Sequence, residues 1–209
     1  ILASLAFHSE VPVESVHREG ITTVTATQIE AAKQAGYAVK LLAICERVED
    51  GGLVVRVHPT LIPLEHPLAA VRGAYNAVFV EAQSAGRLMF YGAGAGGPET
   101  ASAVLGDLVS AAKRHLAGGP GLYDSTHANL KALPVQFVNT RFQITLEVTD
   151  KAGGLAKIAS IFADHGVSVE TVQQSVATNK AALLTIMTHV ASEKDLEEVV
   201  ASLKADDSV

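Results

Sequence analysis

Along the chain the spacing of apolar residues switches between a helical and an extended period, and each switch marks an element. Ile1, Leu2, Leu5 and Ala6 recur at helical spacing until Val11-Pro12 ends the run. Residues 25–36 form a second short helix, with Thr25 as N-cap and Gly36 as C-terminal stop. A strand follows at 38–47, rich in branched residues and apolar on both faces at Leu41 to Ile44, as a central strand would be. Glu49-Asp50-Gly51-Gly52 is a turn into a second strand at 53–58. Residues 60–67 read as irregular, with Pro59, Pro63 and Pro67 close together. Two more strands, 77–82 and 87–91, are joined by Gln83-Ser84-Ala85-Gly86, and a glycine run leads into a helix over 99–116. The four strands are expected to share one mixed sheet, with that helix packed on a face.

Ala117-Gly118-Gly119-Pro120-Gly121 ends the helix, and no clear period returns until after Pro134. Phe142, Ile144, Leu146 and Val148 then alternate with Gln143, Thr145 and Glu147, the signature of a half-buried strand. Leu155, Ile158, Ala159 and Phe162 give an amphipathic helix that His165-Gly166 ends. Strands at 167–173 and 181–190 flank a turn at Thr178-Asn179, and Leu196, Val199, Val200 and Leu203 form a last helix capped by Ser192. The order βαββα is a ferredoxin-like unit short of one strand, which is expected to begin near Asp206-Asp207. The class is therefore α+β, with domains at 1–118 and 137–209 and a linker at 119–136.

Composition narrows the field. Hydrophobic residues make up 48% and charged residues 18%, a globular balance. Up to Thr140 there are 10 Lys and Arg against 12 Asp and Glu, and beyond it 6 against 10. Neither half is basic, which argues against a nucleic-acid partner. No apolar stretch reaches the ~20 residues of a membrane helix. The apolar start lacks a Met and a basic segment, so it reads as the middle of a helix and not as a signal peptide. Cys45, the one cysteine, lies in an apolar run and reads as a core residue; an internal disulfide is excluded, which fits a reducing, cytoplasmic setting.

Three groups of residues have chemical potential. Gly92, Gly94 and Gly97 satisfy G-x-G-x-x-G between a strand and a helix, but no second parallel strand or acidic residue follows at the spacing of a dinucleotide fold. The run is either a place of close ligand approach or a tight turn packed on a neighbour. His58 and His66 lie where loops reach sites, with His66 the better functional candidate, and no pair has metal-ligand spacing. Asp150-Lys151-Ala152-Gly153-Gly154-Leu155 is a strand-to-helix turn whose free N–H groups suit a carboxylate; a plain N-cap by Asp150 is the alternative. Taken alone, none of these specifies a reaction.

Arg56-Val57-His58-Pro59, His66-Pro67-Leu68-Ala69 and Asn76-Ala77-Val78 resemble the C-terminal part of the homoserine dehydrogenase catalytic domain. The specific part of the resemblance is Gly92 to Gly96 with Thr100-Ala101 and Val104-Leu105-Gly106-Asp107-Leu108, and it covers about 1–118. The Asp150 turn, with Gly166-Val167-Ser168-Val169 and Gln173-Gln174, resembles the ACT domain, an amino-acid sensor, over about 137–209. Ala152 stands where that pattern usually has proline.

The resemblance implies an oxidoreductase that interconverts homoserine and aspartate semialdehyde with NADP or NAD, on the route to threonine, methionine and isoleucine. It implies that the nucleotide-binding domain and the proton-donor lysine precede Ile1. Gly96 matches a glycine that contacts the nicotinamide cofactor, Gly94 and Gly92 shape the same turn, and His66 matches a histidine near the active site. Asp150, Gly153 and Ser168 match positions that contact amino-acid effectors, with threonine the expected effector, whereas Val148 stands where some relatives have a polar contact. Open strand edges and uncovered apolar surface predict a homodimer or higher homo-oligomer. For this chain alone, two classes compete: part of a hydride-transfer enzyme, and an amino-acid-binding and dimerisation module without activity.

Overall fold

The computed structural model describes residues 1–49, 51–118, 126–149, 153–176 and 181–206. Packing groups Ile1–Glu10, Arg18–Ala43 and Val57–Asn129 into one unit, and Val11–His17, Ile44–Arg56 and Leu130–Val209 into another.

In the first unit, local signals set the helix ends. α1 (Leu2–Phe7) stops at His8, which takes a left-handed conformation with φ 48°. A short strand β1 (His17–Arg18) precedes α2 (Ala26–Gln34). Thr25 caps α2 as expected: its side chain accepts from the Gln28 N–H, and Gln28 accepts in return from the Thr25 N–H at 2.8 Å. β2 (Tyr37–Arg47) and β3 (Leu53–Pro63) follow, and the sheet order is β1-β3-β2.

β3 runs on through Thr60 to Pro63, where an irregular segment was expected. Its Pro59 is tolerated for a simple reason. The Val57 carbonyl accepts from Glu19, so Val57 faces the β1 side. By the period of two, the Pro59 nitrogen faces that side as well, beyond the end of the two-residue β1. No ladder bond is lost.

β4 (Tyr75–Ala82) and β5 (Gly86–Ala93) pair antiparallel from Tyr75↔Ala93 to Ala82↔Gly86. The four expected strands all form, but not as one sheet: β4 and β5 are a two-stranded sheet of their own. α3 (Gly97–Ala117) corrects a second expectation, because it packs on no sheet and buries none of its residues. Val104, Leu105, Leu108 and Val109 form an apolar stripe that is 50–61% exposed.

The second unit has a closed core. β6 (Asn139–Thr140), β7 (Gln143–Thr149), α4 (Gly154–Asp164), β8 (Val169–Val176), β9 (Ala181–Thr188), β10 (Ala191–Ser192) and α5 (Glu193–Lys204) follow in order. The sheet order is β7-β9-β8, antiparallel throughout, so the expected βαββα layout is present. Ile158 and Phe162 of α4 and Val199 and Leu203 of α5 pack on Val148, Ala182, Leu184 and Ile186. The two-residue pair β6–β10 was not foreseen, since two residues show no period. Within this unit the tip of the β2–β3 hairpin is tied to the segment before β6. Leu53 donates to Lys131 at 2.8 Å and accepts from Leu133 at 2.7 Å. Gly52 is required there, because a Cβ would overlap the Leu133 side chain and lie 2.9 Å from the Lys131 carbonyl.

Phe162 is 1% exposed at the centre of this core. Phe162→Ala is expected to cost roughly 3–5 kcal/mol in the second unit, read from urea unfolding, because the helix and sheet cannot collapse fully into the cavity.

Candidate functional site

β5 delivers the chain directly into the glycine turn, and α3 leaves it. Asn76 on β4 pairs with Gly92, and the Gly94 N–H donates to the Ala74 carbonyl at 2.9 Å. A Cβ on Gly94 would overlap the Asn76 side-chain amide, so this glycine is fixed by close approach within the fold. Gly96 is the N-cap of α3 with φ 147°, and its carbonyl accepts from Thr100 at 3.1 Å. A Cβ on Gly96 would overlap the Glu99 carboxylate. Gly92 and Gly97 have nothing within 4 Å of an added Cβ. The turn therefore combines glycines packed within the fold, Gly94 and Gly96, with open ones, Gly92 and Gly97.

Glu99 decides what the turn can accept. Its carboxylate already occupies the start of α3, where the helix end favours negative charge. A phosphate there would meet that carboxylate. An uncharged amide or a cationic ring would meet no such repulsion. From the sequence, Asn76 entered only through the family resemblance and Glu99 only as the start of a helix; neither was read as a partner of the glycines.

His66 follows β3 in the same unit. It caps the short turn Pro67–Ala70, its Nδ1 accepting from the Leu68 N–H at 3.2 Å, and its ring meets Phe79 edge-on at 4.7 Å. The Lys40 ammonium of β2 donates to the carbonyl of Val71, which ends that turn. With Nδ1 an acceptor, the neutral ring carries its proton on Nε2. Phe79 and Asn76 lie on opposite faces of β4, roughly 10 Å apart along the strand. No recorded hydrogen bond or ring contact joins His66 to the glycine turn.

Cys45 is half-buried in β2, and burial, helped by the neighbouring Glu46 and opposed by Arg56, pushes its thiol up to about 11. It stays protonated at neutral pH, which suits a packing role and not a nucleophile. Among the described residues no group of three or more His, Cys, Asp or Glu could hold a metal ion, and no helix is long and apolar enough to cross a membrane.

In the second unit Gly153 is the N-cap of α4, with φ 91° and an accepted bond from Lys157 at 3.1 Å. Asp150 and Ala152 lie outside the described residues. Ser168 is exposed, and its carbonyl accepts from His189 at 2.8 Å. The expected facing of this helix start and Ser168 is not seen. Val169 pairs with Thr188, whereas Thr149, just before the turn, pairs with Ala181 at the other end of the sheet. The cause is topological: α4 carries the chain back before β8 begins. Ser168 and Gly153 thus stand at opposite ends of β8, which is roughly 23 Å long. Val148 points into the core at 9% exposure.

Another polar group joins α4 to α5. His165 Nε2 lies 2.8 Å from the Ser202 hydroxyl, and its Nδ1 lies 3.5 Å from Glu198. Serine, histidine and glutamate in this order could suggest a nucleophile. However, Ser202 sits in the interior of α5, where backbone N–H groups serve the helix ladder and cannot converge as oxyanion donors. The group is a clamp between helices.

Comparison with known proteins gives consistent results. The homoserine dehydrogenase family model matches residues 1–109, and the ACT domain model matches 142–207. The homoserine dehydrogenase of Corynebacterium glutamicum is 48% identical over 209 residues, covering 98% of this chain and 47% of that protein. That of Mycobacterium tuberculosis strain H37Rv is 47% identical, covering 97% and 48%. Among solved structures, a homoserine dehydrogenase from Thiobacillus denitrificans superposes with a TM-score of 0.91 at 36% identity, covering all of this chain and 48% of that one. One from S. aureus, solved at pH 7.5, gives 0.65 at 28% identity, covering 96% and 46%. The chain spans about half the length of the curated relatives it matches.

Gly94→Ala is expected to destabilise the hairpin end by about 1 kcal/mol or more, because its Cβ must displace Asn76. In an Asn76→Ala background the same substitution should cost much less. Additive losses in thermal melts of the two single variants and the double variant would show that the overlap does not set the cost.

Proposed function

Because the chain belongs to the homoserine dehydrogenase family, we propose that it is the C-terminal part of an enzyme interconverting L-homoserine and L-aspartate 4-semialdehyde, with a C-terminal ACT unit that senses threonine. The single observation that carries this reading is the succession of the two family matches along one chain, at 1–109 and 142–207. Residues 1–118 then belong to the catalytic domain, 119–136 to a linker and 137–209 to the regulatory domain, working in the cytoplasm.

Homoserine dehydrogenases use NAD(P), and the glycine turn fits part of that group. When bound, it supplies the hydride acceptor or donor. The chain's own contribution is open backbone at Gly92, with Gly94 holding the turn against Asn76; Gly96, whose Cβ space the Glu99 carboxylate fills, is assigned to the cofactor by the family resemblance. Glu99 directs the turn away from phosphates and toward the nicotinamide end, whose oxidised ring is cationic. His66 is a candidate for positioning substrate through its Nε2–H. Since the chain spans about half the length of its relatives, this reading assigns the rest of the cofactor site and the proton donor to the other half, and the chain alone is expected to be inactive.

The effector reading gains a requirement from the sheet register. Since Gly153 and Ser168 are at opposite ends of one unit, both can touch one small amino acid if two copies pack side by side in opposite senses. The second reading, a binding and dimerisation module without catalytic activity on its own, shares this geometry and concerns the chain alone, where an assay for homoserine turnover with NADP separates the two.

In the full-length enzyme, Gly96→Val is expected to raise KM for the nicotinamide cofactor about tenfold with a smaller change in KM for homoserine. Unchanged cofactor kinetics with lowered thermal stability would leave the glycine as packing only. For the effector, calorimetric titration of threonine should show affinity falling about tenfold in Ser168→Ala, the loss of a hydroxyl contact. Equal affinity in the variant would remove Ser168 from the site.

A further inference from the structure

α5 has two working faces. Val199 and Leu203 are buried in the core of the second unit. About a quarter turn away, Glu193, Leu196, Glu197, Val200, Ala201 and Lys204 recur at helical spacing and line a shallow trough of about 410 Å³. Its apolar lining is Val200 and Ala201 with the edge of Leu196, itself buried at 9% exposure, and acidic and basic groups lie at opposite ends.

The charge arrangement is incomplete within one chain. Glu197 and Lys204 are seven residues apart, roughly 10.5 Å along the axis, too far to pair on one helix. Glu197 accepts a hydrogen bond from the Gln136 amide at 3.1 Å, which leaves its charge uncompensated. Among the described residues neither Glu197 nor Lys204 is in an ion pair.

We propose that this stripe is a self-association surface, and that its occupant is the same stripe of a second copy, running antiparallel. A two-fold axis between Val200 and Ala201 brings Glu197 to the partner's Lys204 and Lys204 to the partner's Glu197. One operation thus completes both pairs, as an isologous interface requires. It also lays Val200 against the partner's Ala201, whose small side chain lets the helices approach closely. Neither Gly153 nor Ser168 takes part, so the surface is independent of the effector reading. A single helix stripe falls below the ~1,200 Å² of a stable interface, so the contact is weak and sensitive to salt.

A charge-swap experiment on the whole 209-residue chain tests this. Ala201→Cys in a Cys45→Ala background places a thiol beside the proposed axis, where it meets its own copy. Oxidation should give a disulfide-linked dimer, with yield falling as salt rises. Adding Glu197→Lys or Lys204→Glu alone should cut the yield about tenfold by setting like charges together. Adding both should restore it to within about twofold, since the pairs reform with signs exchanged. Circular dichroism confirms that each variant is folded. The positions are exposed, and Glu197→Gln is the milder substitute, expected to give an intermediate yield. No crosslink from folded protein, or a double swap as weak as the single changes, would overturn the proposal.

Discussion

The double pairing of β9 is the interaction on which the second unit depends. β9 bonds β7 on one edge and β8 on the other, and its side chains alternate strictly: Ala182, Leu184, Ile186 and Thr188 are buried, and Leu183, Thr185 and Met187 are half-buried. A slip of one residue would turn four core positions outward, so the register is set by burial. Both helices then find their place, because Phe162 and Val199 pack against the face that β9 supplies. Even the buried hydroxyl of Thr188 is satisfied, accepting from the Phe142 N–H at 3.0 Å. The same register fixes the functional geometry, since it places the start of α4 and the start of β8 at opposite ends of the sheet.

The first unit follows a different logic. Among its described residues the fully buried ones are Ser9, Ala32, Ile62 and Ala69, three of them small. Phe90 on β5 is 64% exposed and Leu108 on α3 is 61% exposed. Exposed apolar residues of this kind are what an interface would cover. The glycine turn between β5 and α3 lies at the junction of these two elements, and a Cβ added at Gly92 or Gly97 would meet nothing within 4 Å.

Helix and strand positions were legible where local chemistry decides them. Thr25, Ser192 and the alternation from Phe142 to Val148 each act over a few residues, and the structure uses each as the spacing suggests. Pairing between elements was less legible. Whether β4 and β5 join β2 and β3 depends on long-range contacts that no local period encodes, and the tolerance of Pro59 depends on how short β1 is. In the site, the glycines were visible as a pattern, but the reasons for them, Asn76 beneath Gly94 and Glu99 beside Gly96, are three-dimensional. The residues proposed for the effector were picked out singly. Their separation across the sheet follows from strand order, which a linear motif does not carry.

That separation makes a second copy necessary for the proposed threonine site, and sedimentation velocity of the chain across a threonine series tests it most directly. Threonine bridging two copies must favour association by mass action, so the weight-average sedimentation coefficient should rise and the dimer dissociation constant fall as threonine is added, with no such change for a non-binding amino acid. Saturable threonine binding by a monomer, with the association constant unchanged, would contradict the account.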